Sequence, residues 1–292
     1  MAAEHIRTWR IGDVEIARIV EVNDHTDPFE MLSRGLSAET ALQYDWLQPN
    51  FITPDGQMKI SFQCFVLRSG KDHVMIDTCI GNERDREFDI FTNMHTTFLE
   101  DLKVAGFPRE SITKVLCTHL HFDHVGWNTM RVDGKWVPTF PNARYLFGAK
   151  EYEHWLMLER THGYHDVTHM TDSIKPVVDA GLVDLIEPTD KVTDEVSLIP
   201  TPGHTPGHVS VHIKSKGEEA IITGDMMHHP IQFAEVDRIA NFDMDQDQGL
   251  KTRKAMIERV ADKNILVIGT HFTHPSSGYV VSDTKNWKLK AV

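Results

Sequence analysis

The sequence predicts a mixed α/β fold in which two β-sheets pack face to face and helices cover their outer sides. Both halves of the chain begin with strand-like segments and continue with alternating helix and strand patterns, an order that fits this layered arrangement. No low-complexity linker or sharp change in composition divides the 292 residues, and 40% of them are hydrophobic, enough for a sizeable core. We therefore expect one domain over residues 1–292.

Local patterns predict the individual elements in order. Turns at Gly12-Asp13 and Ser69-Gly70 between strand-like runs predict two hairpins. A helical pattern stopped by Gly106 and Pro108 precedes an apolar run that reads as a buried strand. The predicted strands are the hairpins 7–22 and 60–68 with 73–77, then 114–118, and segments near 144–147, 196–200, 208–213, 219–223 and 264–268; the predicted helices lie near 93–105, 149–160, 172–180 and 248–261.

Two segments, 24–58 and 148–170, fall outside this pattern and carry several aromatic residues. Long segments of this kind either flank a pocket or pack on the sandwich. Both alternatives stay open, and the two segments are candidates for the walls of a pocket.

Charge and composition exclude several classes of protein. Lys plus Arg number 30 and Asp plus Glu 43, a net charge of −13 that argues against a nucleic-acid partner. The N-terminus lacks the pattern of a signal peptide, and no apolar run reaches the ~20 residues that span a bilayer. The three cysteines lie in apolar contexts, which predicts buried free thiols. We expect a soluble, cytoplasmic protein without a membrane or nucleic-acid partner.

The most informative motif is a set of metal-binding side chains that follows the predicted strand 114–118. Three imidazoles and a carboxylate fall within six residues: His119, His121, Asp123 and His124. A strand end is held by a rigid sheet, where a site can be preorganised. Mostly nitrogen ligands favour a transition metal, and zinc first.

Three further candidate ligands also follow predicted strands. His204 lies in a turn-rich segment, Thr-Pro-Gly-His-Thr-Pro-Gly-His, while Asp225 ends Ile-Ile-Thr-Gly-Asp and His271 ends Gly-Thr-His. A glycine near each of them fits a tight turn or a close backbone approach. The spacing alone does not divide the seven candidate ligands between metal ions.

Together these motifs resemble the metallo-β-lactamase superfamily, and the resemblance runs from Asp77 to His271. It implies an αββα sandwich with a two-metal site at one sheet edge. His119, His121 and His204 would bind the first metal. The second would be bound by Asp123, His124 and His271, with Asp225 bridging the two.

The resemblance also implies the chemistry of a dinuclear hydrolase. Two zinc ions ~3.5–4 Å apart would hold a hydroxide as the nucleophile. Asp123 would orient the attacking water or accept its proton. The same ligands also accept manganese, iron or cobalt. A homodimer that closes the pocket is compatible with the family.

Departures within the superfamily favour its lactonase-like branch. Asp225 argues against the β-lactamases with a cysteine there or without the bridging carboxylate, and His121 argues against the di-iron branch, which has Glu at that position. Only 21 residues follow His271, too few for the helical domain of glyoxalase II. The net charge of −13 disfavours the nucleases. The remaining spacings resemble acyl homoserine lactonases, dihydrocoumarin-type lactonases and methyl parathion hydrolase.

The residue three positions after Asp225 distinguishes the members of this branch. Homoserine lactonases commonly have a tyrosine there and the phosphotriesterase-like members an apolar residue, whereas this chain has His228. An imidazole can donate a hydrogen bond to the carbonyl oxygen or protonate the departing alkoxide. The leading hypothesis is therefore hydrolysis of a small-molecule lactone, such as an acyl homoserine or aryl lactone. The alternative hypothesis is hydrolysis of an organophosphate triester or an aryl ester.

A metal-binding scaffold without catalysis is disfavoured, since a structural site needs only four closed ligands. Asp77, Thr118 and His208 are expected to support the metal ligands from behind.

Two other groups are interpreted as unrelated to the site. His154, His162, His165 and His169 fit loop or helix-surface positions, and the acidic run 243–247 fits a solvated loop.

Overall fold

A computed structural model of the chain describes residues 6–162, 167–284 and 286–292. The strands are Arg7–Ile11 (β1), Val14–Asp27 (β2), Met58–Ser69 (β3), Asp72–Ile76 (β4), Lys114–Leu116 (β5), Thr129–Val132 (β6), Lys135–Pro138 (β7), Arg144–Gly148 (β8), Val183–Ile186 (β9), Val196–Pro200 (β10), Val209–Ser215 (β11), Glu218–Ile222 (β12), Ile265–Ile268 (β13), Ser277–Ser282 (β14) and Trp287–Ala291 (β15). The helices are Phe29–Leu32 (α1), Ala38–Ala41 (α2), Phe98–Val104 (α3), Phe122–Val125 (α4), Ala149–His162 (α5), Lys175–Asp179 (α6), Ile231–Ala234 (α7) and Gln246–Val260 (α8).

The strands form two large mixed sheets and a separate hairpin. The first sheet has the order β1-β2-β3-β4-β5-β8-β9, the second runs β10 to β15 in sequence order, and β6 pairs with β7. β4, β5, β8 and β9 are mutually parallel in the first sheet. In the second sheet β12 and β13 are parallel. Parallel neighbours end at the same sheet edge, where loops that carry functional side chains can meet.

Four layers result from the alternation of buried side chains along the strands. Ile16 and Leu116 of the first sheet share one buried cluster with Val211 and Ile222 of the second, so the two sheets face each other. α3 and α5 pack on the outer side of the first sheet, and α7 and α8 pack on that of the second. The predicted αββα arrangement is confirmed.

Most predicted elements lie within a few residues of their expected positions, and the differences have local causes. The helix expected from about residue 93 begins at Phe98. Asn93 has a φ of 53° that a right-handed helix cannot contain, and residues 94–97 are not helical. The helix expected over 172–180 is a π-helical turn at Met170–Ile174 followed by α6. β6, β7, β9, β14 and β15 are strands that the sequence patterns do not predict.

The aromatic residues of segment 24–58 contribute to the core. Phe29 and Phe51 are buried in the cluster that contains α8, and Trp46 packs against the same cluster. In segment 148–170, Trp155 is buried in the cluster of the first sheet. These side chains pack on the sandwich, and a role of either segment in a pocket wall stays a prediction.

Membrane-spanning helices are absent from the part of the chain that the structure describes, because none of its helices combines the length and apolar character needed for a crossing.

Candidate metal centre

The candidate ligands follow the ends of strands from both sheets. Residues 119–124 come after β5, and Asp77 comes after its parallel neighbour β4. Asp225 and His271 follow the parallel pair β12 and β13 of the second sheet. His204 lies in the loop between β10 and β11. The Val209 amide donates to the Thr118 carbonyl over 3.0 Å and so joins loops from the two sheets.

Three imidazoles form a first group of potential metal ligands: His119, His121 and His204. The Nε2 atoms of His119 and His204 each lie 2.8 Å from His121 Nδ1. His121 therefore faces the group with Nδ1, whereas the other two rings face it with Nε2. Three converging ring nitrogens are a typical ligand set for a transition metal.

Asp123, His124, Asp225 and His271 form a second group. Asp225 contacts members of both groups: its Oδ1 lies 3.2 Å from His124 Nε2, and its Oδ2 lies 3.1 Å from His271 Nε2 and 3.6 Å from His204 Nε2. The structure thus brings all seven predicted ligands together, with Asp225 between the two groups.

Burial and neighbouring charges set the protonation of these side chains. Burial lowers the pKa of His121 and His204 to about 3, so both rings are neutral at pH 7. Burial opposes the charged form of His124 too, but Asp225 and the other carboxylates around it raise its pKa well above the ordinary value. Burial alone would raise the pKa of Asp225, but the charges of His124 and His271 hold it well below the ordinary value.

The remote ring nitrogens of three candidate ligands, His119, His124 and His271, have acceptors. His124 Nδ1 lies 2.9 Å from Asp77 Oδ2, and His271 Nδ1 lies 3.0 Å from the Ser61 carbonyl oxygen. Thr118 Oγ1 lies 3.1 Å from His119 Nδ1 and donates to Asp77 Oδ2 over 2.9 Å. Contacts of this kind fix the tautomer and direct the other nitrogen at the site. Asp77 and Thr118 lie next to these rings, and their supporting role stays a prediction.

His208 supports the backbone near Asp225 and does not face the site directly. Its Nε2 accepts a hydrogen bond from the Asp225 amide over 2.8 Å, and its Nδ1 lies 2.8 Å from Thr201 Oγ1. A Cβ atom on Gly224 would lie 2.6 Å from His208 Nε2, so the close approach of this ring requires glycine there.

His228 lies beside the candidate ligands of the second sheet, and its contact with substrate stays a prediction. Its Nε2 is 3.3 Å from Asp225 Oδ2. One potential ligand atom from each of His204, Asp225 and His228 lies within 4.8 Å of the other two, so these residues form a third, overlapping candidate group. His229 faces away: it contacts the Phe51 carbonyl oxygen through Nε2 and accepts the Ile231 amide at Nδ1.

The interpretation of the acidic run as fully solvated is wrong for Asp243. The side chain of Asp243 is 0% exposed, because Arg253 of α8 reaches back to it with an N–O distance of 2.7 Å. Asp243 Oδ1 lies 3.7 Å from His204 Nδ1, and neither atom has a hydrogen-bond partner within the described chain. Asp243 is therefore a carboxylate behind the ligand His204. Asp245, by contrast, is exposed and caps α8.

The surface interpretation is also wrong for His169. This residue is 4% exposed, and its ring packs edge-on against Trp155 with centroids 4.7 Å apart. Trp155 also packs edge-on against the ligand candidate His121, with centroids 5.3 Å apart. His154 is half-buried, and His165 lies outside the described residues. No member of this histidine run belongs to a potential metal-binding group among the residues described.

Sequence patterns also missed Glu151, a buried residue of α5 whose carboxylate accepts four hydrogen bonds around the first group. A usable signal exists, because Glu151 follows β8, the next parallel strand after β4 and β5. The strand-end reasoning that finds Asp77 and His119 therefore applies to Glu151 as well.

The residues present fit two divalent cations. His124 Nε2 and Asp225 Oδ1 lie buried with no hydrogen-bond partner in the described chain, although they are 3.2 Å apart. Buried polar atoms of this kind require a partner, and a cation supplies one. The first group offers three nitrogens and the second a mixture of nitrogen and oxygen, both suited to zinc.

Two facing sheets with helices outside, and a histidine–aspartate cluster at their strand ends, are the architecture of a metallo-hydrolase. The chain belongs to the Metallo-beta-lactamase superfamily, whose sequence model matches residues 63–283. That segment contains all seven candidate ligands.

Known proteins resemble the chain over most of its length. It is 25% identical over 236 residues to an N-acyl homoserine lactonase of a Bacillus species, covering 75% of this chain and 84% of the lactonase. The solved structure of AbOPH, a hydrolase of the beta lactamase superfamily, has a TM-score of 0.82 at 23% identity and covers 99% of this chain and 97% of its own. AidC, described as a dizinc quorum-quenching lactonase, has a TM-score of 0.77 at 19% identity, with coverages of 98% and 97%.

Proposed function

We propose that this chain is a dinuclear, metal-dependent lactonase. The observation that carries the proposal is the position of His228, whose Nε2 lies 3.3 Å from Asp225 Oδ2 at the junction of the two ligand groups. The similarity to a Bacillus acyl homoserine lactonase over 75% of the chain supports the same substrate class.

Substrate would approach from the side on which the cluster retains contact with solvent. The side chain of Asp123 is 12% exposed and that of His228 is 9% exposed, whereas the side chains of His119 and His124 are 0% and 1% exposed. A carbonyl group that enters there meets both ligand groups at once. Asp123 and His228 are therefore the residues available to move protons during the reaction.

Each residue has a separate role in ring opening. Bound divalent cations would supply an activated water and would polarise the substrate carbonyl. Asp123 accepts a proton from the attacking water. His228 donates a hydrogen bond to the carbonyl oxygen, and the proton that Asp123 accepted passes to the ring oxygen as the C–O bond breaks. The product is a hydroxy acid, which ionises and releases one proton to neutral solution.

Aromatic side chains beside the site support an apolar group on the substrate. The Phe242 ring lies 5.1 Å from that of His228 and is 38% exposed. Phe62 lies 5.2 Å from His271 and is only 6% exposed. Exposed aromatic residues next to a polar centre favour an acyl chain or an aryl ring. The same aromatic side chains would accept the aryl group of a phosphotriester. Phosphotriesters are the second candidate class of substrate.

The test is proton release by zinc-reconstituted protein on a panel of lactones. The panel contains short- and long-chain acyl homoserine lactones and dihydrocoumarin, with methyl parathion alongside and Asp225→Ala as the inactive control. Acidification with a lactone that a chelator abolishes is the expected result. Hydrolysis of methyl parathion alone would replace the lactonase proposal with the triesterase. Two bound zinc ions without any turnover would leave a metal-binding scaffold and contradict both.

A further inference from the structure

Glu151, in the first turn of α5, lies behind the first ligand group without touching it. It is 1% exposed, and within the described chain no lysine, arginine or histidine forms an ion pair with it. Its Oε1 accepts from the Leu120 amide over 3.1 Å and from Trp155 Nε1 over 2.7 Å. Its Oε2 accepts from Thr205 Oγ1 over 2.7 Å and from the Gly207 amide over 3.0 Å. A buried carboxylate is costly unless hydrogen bonds satisfy it, and here four donors do so.

These four donors all border the first ligand group. Leu120 separates His119 from His121, and Thr205 follows His204 directly. The Trp155 ring, held through its indole nitrogen, packs edge-on against the His121 ring at 5.3 Å. One carboxylate therefore contacts a neighbour of each of the three histidines. Since these histidines come from loops of both sheets, Glu151 also fixes one loop relative to the other.

The backbone is shaped to allow this approach. A Cβ atom on Gly207 would lie 2.4 Å from the Glu151 backbone nitrogen and 2.6 Å from its Cα atom. Only glycine lets the loop of His204 come this close to the start of α5. The close backbone approach at Gly207 therefore places its amide within hydrogen-bond distance of Glu151 Oε2.

We propose that Glu151 is a positioning residue that holds His119, His121 and His204 in the geometry of one cation. Loss of its carboxylate weakens cation binding by this group and leaves the group of Asp123, His124 and His271 unaffected. The inference rests on the cation-binding part of the proposed function. Residues that orient metal ligands typically contribute 10- to 100-fold to affinity.

The experiment measures the zinc affinity of each group separately. His271→Ala weakens the second group and leaves the first intact, whereas His121→Ala does the reverse. Glu151→Gln is introduced into each background, because Gln keeps the size but replaces one acceptor oxygen with a donor. Glu153→Gln, an exposed glutamate on the same helix, is the matched control. Competition with a chromophoric chelator gives the affinity, and circular dichroism shows that each metal-free variant is folded.

Glu151→Gln is expected to weaken zinc binding about 10- to 100-fold in the His271→Ala background. In the His121→Ala background the change should stay within about twofold, as expected for independent sites. Equal losses in both backgrounds would indicate general structural support and overturn the proposal. An unchanged affinity would overturn it too.

A second variant covers the case in which Glu151→Gln does not fold. Thr205→Val removes a single hydrogen bond to Oε2 and is expected to weaken zinc binding about fivefold, in the His271→Ala background alone. No loss there would contradict the proposal. If the unmodified chain itself binds no zinc, the proposed function fails. If it binds two zinc ions and the Glu151 variant does the same with equal affinity, only the positioning role fails.

Discussion

The imidazole rings of His228 and His271 lie parallel, with centroids 5.7 Å apart and an interplanar angle of 6°. His271 is held by the Ser61 carbonyl, so it forms a fixed platform for the His228 ring. His228 Nδ1 has no partner in the described chain, and its Nε2 faces Asp225. Stacking on His271 thus orients the His228 ring, while its Nδ1 has no hydrogen bond within the described chain. A substrate contact requires an oriented ring of this kind.

Replacing His228 with Leu is expected to lower lactone kcat about 10²-fold, the usual effect of removing one hydrogen-bond donor to a developing oxyanion. Zinc content should stay at the level of the unmodified chain, as measured by atomic absorption. His95→Leu, which changes an exposed histidine, serves as the control and should behave like the unmodified chain. Loss of zinc would instead make His228 a ligand of the overlapping group with His204 and Asp225.

Asp225→Ala is expected to reduce zinc from about two ions per chain to well below one, because a bridging carboxylate serves both cations. Asp123→Ala removes a ligand of the second group only and should cost no more than one ion. Metal analysis after dialysis against a weak chelator compares the two variants. Equal zinc contents in both would contradict the bridging role of Asp225.

Asp77→Asn is expected to weaken zinc binding by the second group about 10- to 100-fold while the chain stays folded. An amide nitrogen in place of Oδ2 cannot accept the proton of His124 Nδ1, and one in place of Oδ1 leaves the Thr118 amide unpaired. Asp77 has a φ of 60°, a conformation that Asn tolerates and Ala does not. Asp77→Ala should therefore lower the melting temperature of the metal-free chain as well. Equal melting temperatures for the two variants would contradict the backbone argument.

Asp172→Asn is expected to destabilise the fold by about 3–5 kcal/mol, since it leaves two buried guanidinium groups without their anion. Asp172 lies 2.9 Å from Arg84 and 2.7 Å from Arg86, whose side chains are 0% and 1% exposed. The exposed pair of Asp184 and Arg144 offers the control: Asp184→Asn should cost less than about 1 kcal/mol. Urea unfolding of the metal-free variants at pH 7 measures both changes.

The pH dependence of this ion pair follows from the pKa of Asp172. Burial would raise that pKa, but the charge of Arg84 and the contacts of Arg86 hold it below the ordinary value. The stabilisation is therefore complete above the ordinary pKa of about 4 and disappears as the pH falls through the lower, folded-state value. The difference in unfolding free energy between the unmodified chain and Asp172→Asn should shrink only below about pH 4. A difference that already vanishes at pH 6 would refute this assignment.

Strand ends explain why so much of the centre could be predicted from the sequence. His119, Asp225 and His271 each follow an apolar run, and parallel neighbours bring such ends together without further information. The buried supporting groups needed information that the local pattern lacks. Asp243 resembles its exposed neighbour Asp245, and only Arg253 on the next helix explains its burial. The end of β8 indicates Glu151, but the Leu120 and Thr205 donors to its carboxylate lie in loops of different sheets, and the local pattern does not contain their approach.

The elements that sequence patterns missed have similar causes. β6 and β7 are short and half exposed, so no apolar alternation marks them. β15 alternates Trp287 and Leu289 with lysines, a period-2 pattern typical of a strand that the sequence prediction did not use. In β6 and β7 pairing with a neighbouring strand, rather than local sequence preference, determines the structure.

His204, Asp225 and His271 come from the second sheet, and residues 119–124 come from the first. A cation held by both sets binds only when the sheets are docked, so binding and docking are thermodynamically linked. A ligand at 100 times its dissociation constant adds about 2.7 kcal/mol to the free energy of unfolding. We therefore expect the free concentration of a bound cation to raise the resistance of the chain to heat and proteolysis, independently of any catalysis.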